Sequence, residues 1–143
     1  MASPSSVLVV DDDEAITATF GRSLRLDGFA VRTATSADAG LSEALRWQPD
    51  VIILDLRMPL MDGLGLLRQL RRDPRGRQIP VAIVTGDYLI DESAIEEAAQ
   101  LGAAVKFKPL WVEDLVALTY ELLAGRRMPV PARDHDPLTS FSS

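Results

Sequence analysis

The sequence predicts a doubly wound α/β fold around a five-stranded parallel sheet, on three observations. Five short apolar runs alternate with five stretches of helical period. Three of those runs are unbroken by any polar residue. Acidic or hydroxyl-bearing residues stand directly after several of them. The chain has 143 residues, with fifteen basic against twenty-one acidic side chains, a formal charge of −6. That length suits one domain with a sizeable core. The acidic balance argues against binding nucleic acid by phosphate neutralisation. With no cysteine and a single histidine, His135, disulfide frameworks, thiolate metal sites and histidine-based metal centres are excluded. No apolar run approaches the roughly 18 residues of a membrane span. The opening residues lack the charged and apolar regions of a signal peptide, so a cytoplasmic location is expected.

Taken in order, the runs are Val7 to Val10, Phe29 to Ala34, Val51 to Leu54, Val81 to Val84 and Ala103 to Phe107. Their length and their Val and Ile content are those of strands. The helical stripes between them are Ile16, Phe20 and Leu24; Leu41, Ala44 and Leu45; Leu64, Leu67 and Leu70; Ile95 and Ala98; and Leu115, Leu118 and Leu122. Five such units in series imply helices on both faces of a parallel sheet. Uninterrupted apolar strands suit positions buried on both faces. The second run, with Arg32 and Thr33, and the fifth, with Lys106, suit edges. Edges at two and five give the flavodoxin-like order 2-1-3-4-5. Gly125 reads as the stop of the last helix. Residues 1–5 form a short arm, 6–124 the domain and 125–143 a disordered tail, too short for a second folded output domain.

The polar residues fall at the strand ends. Asp11, Asp12 and Asp13 follow the first run, Asp55 the third, Thr85 closes the fourth and Lys108 the fifth. In an open α/β sheet these positions share one rim, with the crevice between strands one and three. Carboxylates meeting there repel unless a cation neutralises them or one keeps its proton. For oxygen ligands alone the natural cation is Mg²⁺. A carboxylate beside it can attack phosphorus, and the Lys108 ammonium and Thr85 hydroxyl would serve the phosphoryl group. The residues describe a phosphoryl-accepting site.

Val7 to Asp13, Leu54 to Gly63 (Leu-Asp-Leu-Arg-Met-Pro-Leu-Met-Asp-Gly), Thr85-Gly86 and Lys108-Pro109 together resemble a two-component response-regulator receiver domain, CheY-like, over roughly residues 6 to 124. The resemblance implies a stand-alone response regulator in phosphorelay signalling rather than a conventional enzyme. Asp55 matches the phosphoacceptor, Asp12 the direct Mg²⁺ ligand and Asp11 the acid holding the ion through water. Asp55 itself and the Arg57 backbone carbonyl complete the ligands, with Mn²⁺ able to replace Mg²⁺. Thr85 and Lys108 match the groups that meet the phosphoryl oxygens, and Gly86 a small residue that leaves the site open. Arg57 and Asp87 lie where the family tunes the lifetime of the acyl phosphate, and could pair across the site mouth. The implied partners are a sensor histidine kinase or histidine phosphotransfer protein and a downstream protein, with no nucleic acid or membrane contacted directly. The family's switching surface is helix four, strand five and helix five, on a monomer or a phosphorylation-dependent dimer. The family often has a cis bond after its lysine, which the resemblance extends to Lys108-Pro109, against a background of about 5%.

The chain departs from the family at Val105, where an aromatic switch residue is usual. Phe107 could substitute only in a different strand register. The stretch from Thr85 to Gly102 is slightly long, so residues 87–93 are expected as a longer loop or shifted helix start. Plainer readings exist for several residues. Asp13 suits a helix cap, Trp47 the apolar close of helix two, and Trp111 the start of helix five, packed or at an interface. His135 has no assigned role. Arg68, Arg71, Arg72, Arg75 and Arg77 read as a solvated, dipole-favoured helix end. Two other functions compete. One is a receiver-fold adaptor that works without phosphate. The other is a Mg²⁺-dependent aspartyl phosphatase with Asp11 as nucleophile and Asp13 as acid, which leaves Asp55 unexplained.

Overall fold

A computed structural model describes residues 4–86 and 92–127. The elements follow one another as β1 (Ser6–Val10), α1 (Glu14–Leu26), β2 (Ala30–Ala34), α2 (Ala37–Trp47), β3 (Val51–Asp55), α3 (Gly63–Arg72), β4 (Val81–Thr85), α4 (Glu92–Gln100), β5 (Ala103–Phe107) and α5 (Val112–Arg127). All neighbouring strands pair in parallel, in the order β2-β1-β3-β4-β5. The expected fold and strand order are those observed.

Strand alternation divides the core into two layers. Leu8, Val10, Ile52, Leu54, Val81 and Ile83 point to one face, where α2 and α3 cover them with Ala44, Leu66, Leu67 and Leu70. Val7, Val9, Val51, Ile53, Ala82 and Val84 point to the other, against Leu24 of α1 and Leu115 and Leu118 of α5. Both faces are buried, so the three inner strands need apolar residues at nearly every position. The edge strands β2 and β5 are only partly covered. Among the described residues no helix is long and apolar enough to cross a membrane.

Polar side chains set the helix starts. Asp13 accepts from Ala15 N and Ile16 N, Ser36 from Ala39 N and Asp62 from Gly65 N. Each satisfies amide donors that a first helical turn leaves unpaired. Trp47 closes α2, and the Arg32 guanidinium lies over its ring at 4.6 Å.

Two expectations are corrected. Gly125 does not stop the last helix: α5 continues to Arg127, because Gly125 is absent from the positive-φ positions and does not act as a left-handed cap. The basic run is also not uniformly solvated. Arg71 is partly buried, donating Nε–H to Leu101 O at 2.7 Å and Nη1–H to Gly76 O and Ile79 O at 2.8 and 2.7 Å. It ties α3 to the start of β4 and the turn before β5. Its neighbour Arg68 makes a two-pronged exposed ion pair with Glu97 of α4, at 2.5 and 2.7 Å. Asp87, His135 and residues 128–143 of the expected tail lie outside the described residues.

The closest backbone approach lies beside the strand-three acid. A Cβ on Gly63 would stand 2.3 Å from the Asp55 carbonyl oxygen, and the Gly63 amide donates to Leu56 O at 2.8 Å. Gly63→Ala is therefore expected to lower unfolding free energy by about 1–3 kcal/mol or more. Gly125→Ala meets no atom within 4 Å and should raise it by up to about 1 kcal/mol, as alanine does within helices. Urea titration of the two variants checks both signs.

Candidate functional site

Asp11 follows β1 directly. Its amide donates to Ala34 O at 3.1 Å, and its Oδ1 accepts from the Asp13 amide at 2.9 Å. Asp55 ends β3, and both carboxylates are buried. Asp12, between Asp11 and the capping Asp13, is exposed. Ligand oxygens of Asp11, Asp12 and Asp55 lie within 4.8 Å of one another, so the rim gathers three carboxylates from two adjacent strands. Lys108 reaches them from the far side of β4. Its amide donates to Thr85 O at 2.8 Å. Its Nζ stands 3.4 Å from Asp11 Oδ2 and 3.3 Å from Asp55 Oδ1. Thr85, fully buried, closes β4 between them. The Lys108–Pro109 bond is cis.

Burial and the neighbouring Asp11 charge raise Asp55 to about 6, against the pull of Lys108. Burial likewise raises Asp11, partly offset by the Asp13 amide and Lys108. Burial alone would lower Lys108, but the two carboxylates outweigh it and the ammonium is held above its ordinary value. The site is thus short of positive charge. An all-oxygen donor set with one shared ammonium fits a small divalent cation of the Mg²⁺ type.

The site opens as a cleft of about 500 Å³ lined by Asp55, Arg57, Gly86 and Lys108. A side chain on Gly86 would first meet the Lys108 stem, at 3.7 Å. Asp11, Asp12, Asp55, Thr85, Gly86 and Lys108, expected at one rim, are brought together, and Arg57 lines the mouth. Val105 is half-buried, opposite Ile83, and packs into the α3-side layer. Phe107 stands opposite Thr85 and 41% exposed. Alternation puts Phe107 on the same face as Val105, one pleat nearer the site. Sequence reasoning did not place it there, because an aromatic three residues from Lys108 was the pattern sought. It also passed over Leu60, which is fully exposed with φ 71° in the loop after Asp55. No sequence signal marks that conformation, since leucine rarely adopts it.

The model of the family described as "Response regulator receiver domain" matches residues 7–119. The chain belongs to that family. The receiver is a phosphoacceptor signalling domain of two-component systems, not a conventional enzyme, and this displaces the aspartyl phosphatase reading. Over 122 residues this receiver is 35% identical to the transcriptional regulatory protein PrrA of Mycobacterium leprae, covering 84% of this chain and 50% of that one. The chain spans about half the length of the curated relatives it matches. Among solved structures, it is similar to a CheY-like receiver domain protein from Methanospirillum hungatei, with TM-score 0.81 and 26% identity over 87% of this chain and 98% of that one. It is also similar to chemotaxis protein CheY4 of Vibrio cholerae, with TM-score 0.76 and 27% identity over 84% and 99%.

The charge crowding of this receiver has a measurable effect on stability. An acid whose folded value lies above its unfolded one adds stability below about pH 4, and that stability is lost as pH rises through about 6. In chelator-treated protein, Asp55→Asn should therefore melt like the wild type near pH 4. Its advantage should grow up to about pH 6–7 and level off at about 1–3 kcal/mol. Thermal melts from pH 4 to 8 measure this, and a difference independent of pH would remove the electrostatic account.

Proposed function

We propose that this chain takes a phosphoryl group on Asp55 from a phosphohistidine of a sensor histidine kinase or phosphotransfer protein. The observation that carries this reading is the buried Asp55 carboxylate, 3.3 Å from Lys108, grouped with Asp11 and Asp12 and open to solvent through one cleft. An Asp55 Oδ attacks phosphorus as the P–N bond breaks. The imidazole nitrogen leaves with the electron pair and is protonated, and an acyl phosphate remains on Asp55. Lys108, already poised on Asp55, pairs with a phosphoryl oxygen, and the Thr85 hydroxyl donates to another.

Asp12 and Asp55 would hold Mg²⁺ directly, Asp11 through water, and the Arg57 carbonyl would complete the protein ligands; Mn²⁺ could replace it. The bound ion would neutralise the carboxylates and the incoming phosphoryl charge. Arg57, at the mouth, and Asp87 tune how long the acyl phosphate survives. In this reading the protein acts in the cytoplasm, as a monomer or a phosphorylation-dependent dimer. Its output passes through the surface of α4, β5 and α5 to another protein, without direct contact to nucleic acid or membrane. A phosphoryl group present in only one state supplies the differential interaction a two-state switch needs. Val105 does not supply an aromatic to that switch.

With Mg²⁺ and phosphoramidate, the intact wild-type protein should gain one phosphoryl group, removable by hydroxylamine, and Asp55→Asn should gain none. Mg²⁺ binding without phosphorylation by any donor would return the chain to the phosphate-independent adaptor reading. Asp12→Ala should weaken Mg²⁺ by about tenfold or more in calorimetric titration. An unchanged affinity would move the ion elsewhere.

A further inference from the structure

At the end of the sheet away from Asp55, the amino ends of β4 and β5 border a cavity of about 410 Å³. One bank comes from the end of α3, the stretch leading into β4 and the turn before β5, and the other from the last turns of α5. Ile79, Pro80, Leu101 and Leu122 give it apolar walls. Its size lies within the range of small-molecule sites, about 300–1,000 Å³, which combine such walls with a few converging polar groups.

The polar groups here carry unmatched positive charge. Arg71 Nε and Nη1 are committed to three carbonyls, which satisfy their hydrogens but leave the charge unneutralised. Its Nη2 makes no hydrogen bond among the described residues and stands 3.6 Å from where a Cβ on Gly102 would lie, at the cavity wall. Burial lowers the Arg71 guanidinium from its ordinary value, and no carboxylate offsets the effect, although buried charges are ordinarily paired. Arg77, on the same bank, makes no ion pair among the described residues; Asp73, which feels its charge, is paired with Arg75. Facing them on α5 is Gly125. Glycine weakens a helix, and Gly125 makes no use of its freedom, since its φ is not positive. A Cβ there would meet no atom within 4 Å, so its missing side chain leaves room in the cavity.

We infer that this cavity binds a small organic acid, with its carboxylate against Arg71 Nη2 and Arg77 and an apolar ring body between Ile79, Pro80, Leu101 and Leu122. A guanidinium held rigidly by its own carbonyls is already oriented for a carboxylate and gives up little freedom on binding it. Glu121, exposed on the α5 bank, opposes a second negative charge and selects a monocarboxylate over a dianion. The site shares no lining residue with the cleft at Asp55, so it stands whether or not Asp55 accepts a phosphoryl group.

The probe is 1-naphthoate, titrated into the full chain and followed by amide NMR, with neutral 1-naphthalenemethanol as its comparison. One site with Kd of about 0.1–1 mM is expected for a ligand of this size, with shifts concentrated at the Gly102, Leu122 and Gly125 amides. The neutral compound should bind at least fivefold more weakly. Because Arg71 also holds the fold together, other residues carry the mutational test. Gly125→Leu, which fills the cavity from a position with free space, should fold with an unchanged or higher Tm and weaken 1-naphthoate at least tenfold. Arg77→Gln should weaken it about threefold or more, and Glu121→Gln should tighten it about twofold. Absence of shifts up to 5 mM would overturn the inference, as would shifts centred on Gly86 and Lys108 or full affinity in a folded Gly125→Leu. Equal binding of the neutral compound would remove the anion from it. Sedimentation that shows a wild-type dimer dispersed by 1-naphthoate would assign the cavity to a second copy of this chain instead.

Discussion

One ammonium shared between two buried carboxylates is the interaction on which the rest of the site depends. Lys108 stands 3.3 Å from Asp55 and 3.4 Å from Asp11, and it reaches them only because β5 lies beside β4 and β4 beside β3. Three carboxylates against one ammonium leave an excess of negative charge, which burial magnifies. Asp55 accordingly titrates near 6 rather than near 4. That unfavourable electrostatics is what makes the rim receptive to a divalent cation. It is a local conflict of the kind that folded proteins retain at functional sites and offset elsewhere.

The offset lies in the two apolar layers. Every residue of β3 and β4 is buried, so each of the two central strands is held from both faces while its carboxyl end is left to carry Asp55 or Thr85. Close packing transmits this rigidity to the rim. The approach of Gly63 to the Asp55 carbonyl leaves no room for even a methyl group. At the opposite end of the sheet, Arg71 joins α3 to two neighbouring segments through three carbonyls. The exposed pair of Arg68 and Glu97 adds little by comparison. In the loops at the carboxyl ends, Leu60 and Trp111 face solvent.

Much of this was legible in the chain because parallel α/β architecture writes itself in local patterns. Val51 to Leu54 and Val81 to Val84 read as central strands since both their faces must be apolar, and Arg32 and Lys106 marked the edges for the converse reason. Asp13, the one residue read as a cap, caps α1 through bonds to residues only two and three positions away. Asp11, Asp12, Asp55, Thr85 and Lys108 could be gathered at one rim because each closely follows or closes a strand. Gly125 misled because glycine stops a helix only where the chain turns left-handed. Arg71 misled because its acceptors lie on segments that only folding brings near.

The sequence by itself determined the number and order of the strands, the presence of helices on both faces of the sheet and the identity of the carboxylates at the rim. These follow from hydrophobic periodicity and from chain direction, both local properties. Only the tertiary structure decided the distances on which chemistry depends. It set how Lys108 divides itself between two acids, how far burial raises Asp55, and that Phe107 rather than Val105 stands opposite Thr85. It also decided that Leu60 is held outward at positive φ. Such features arise where segments distant in sequence meet and their charges, carbonyls and volumes must be reconciled, and no pattern within a single segment encodes that outcome.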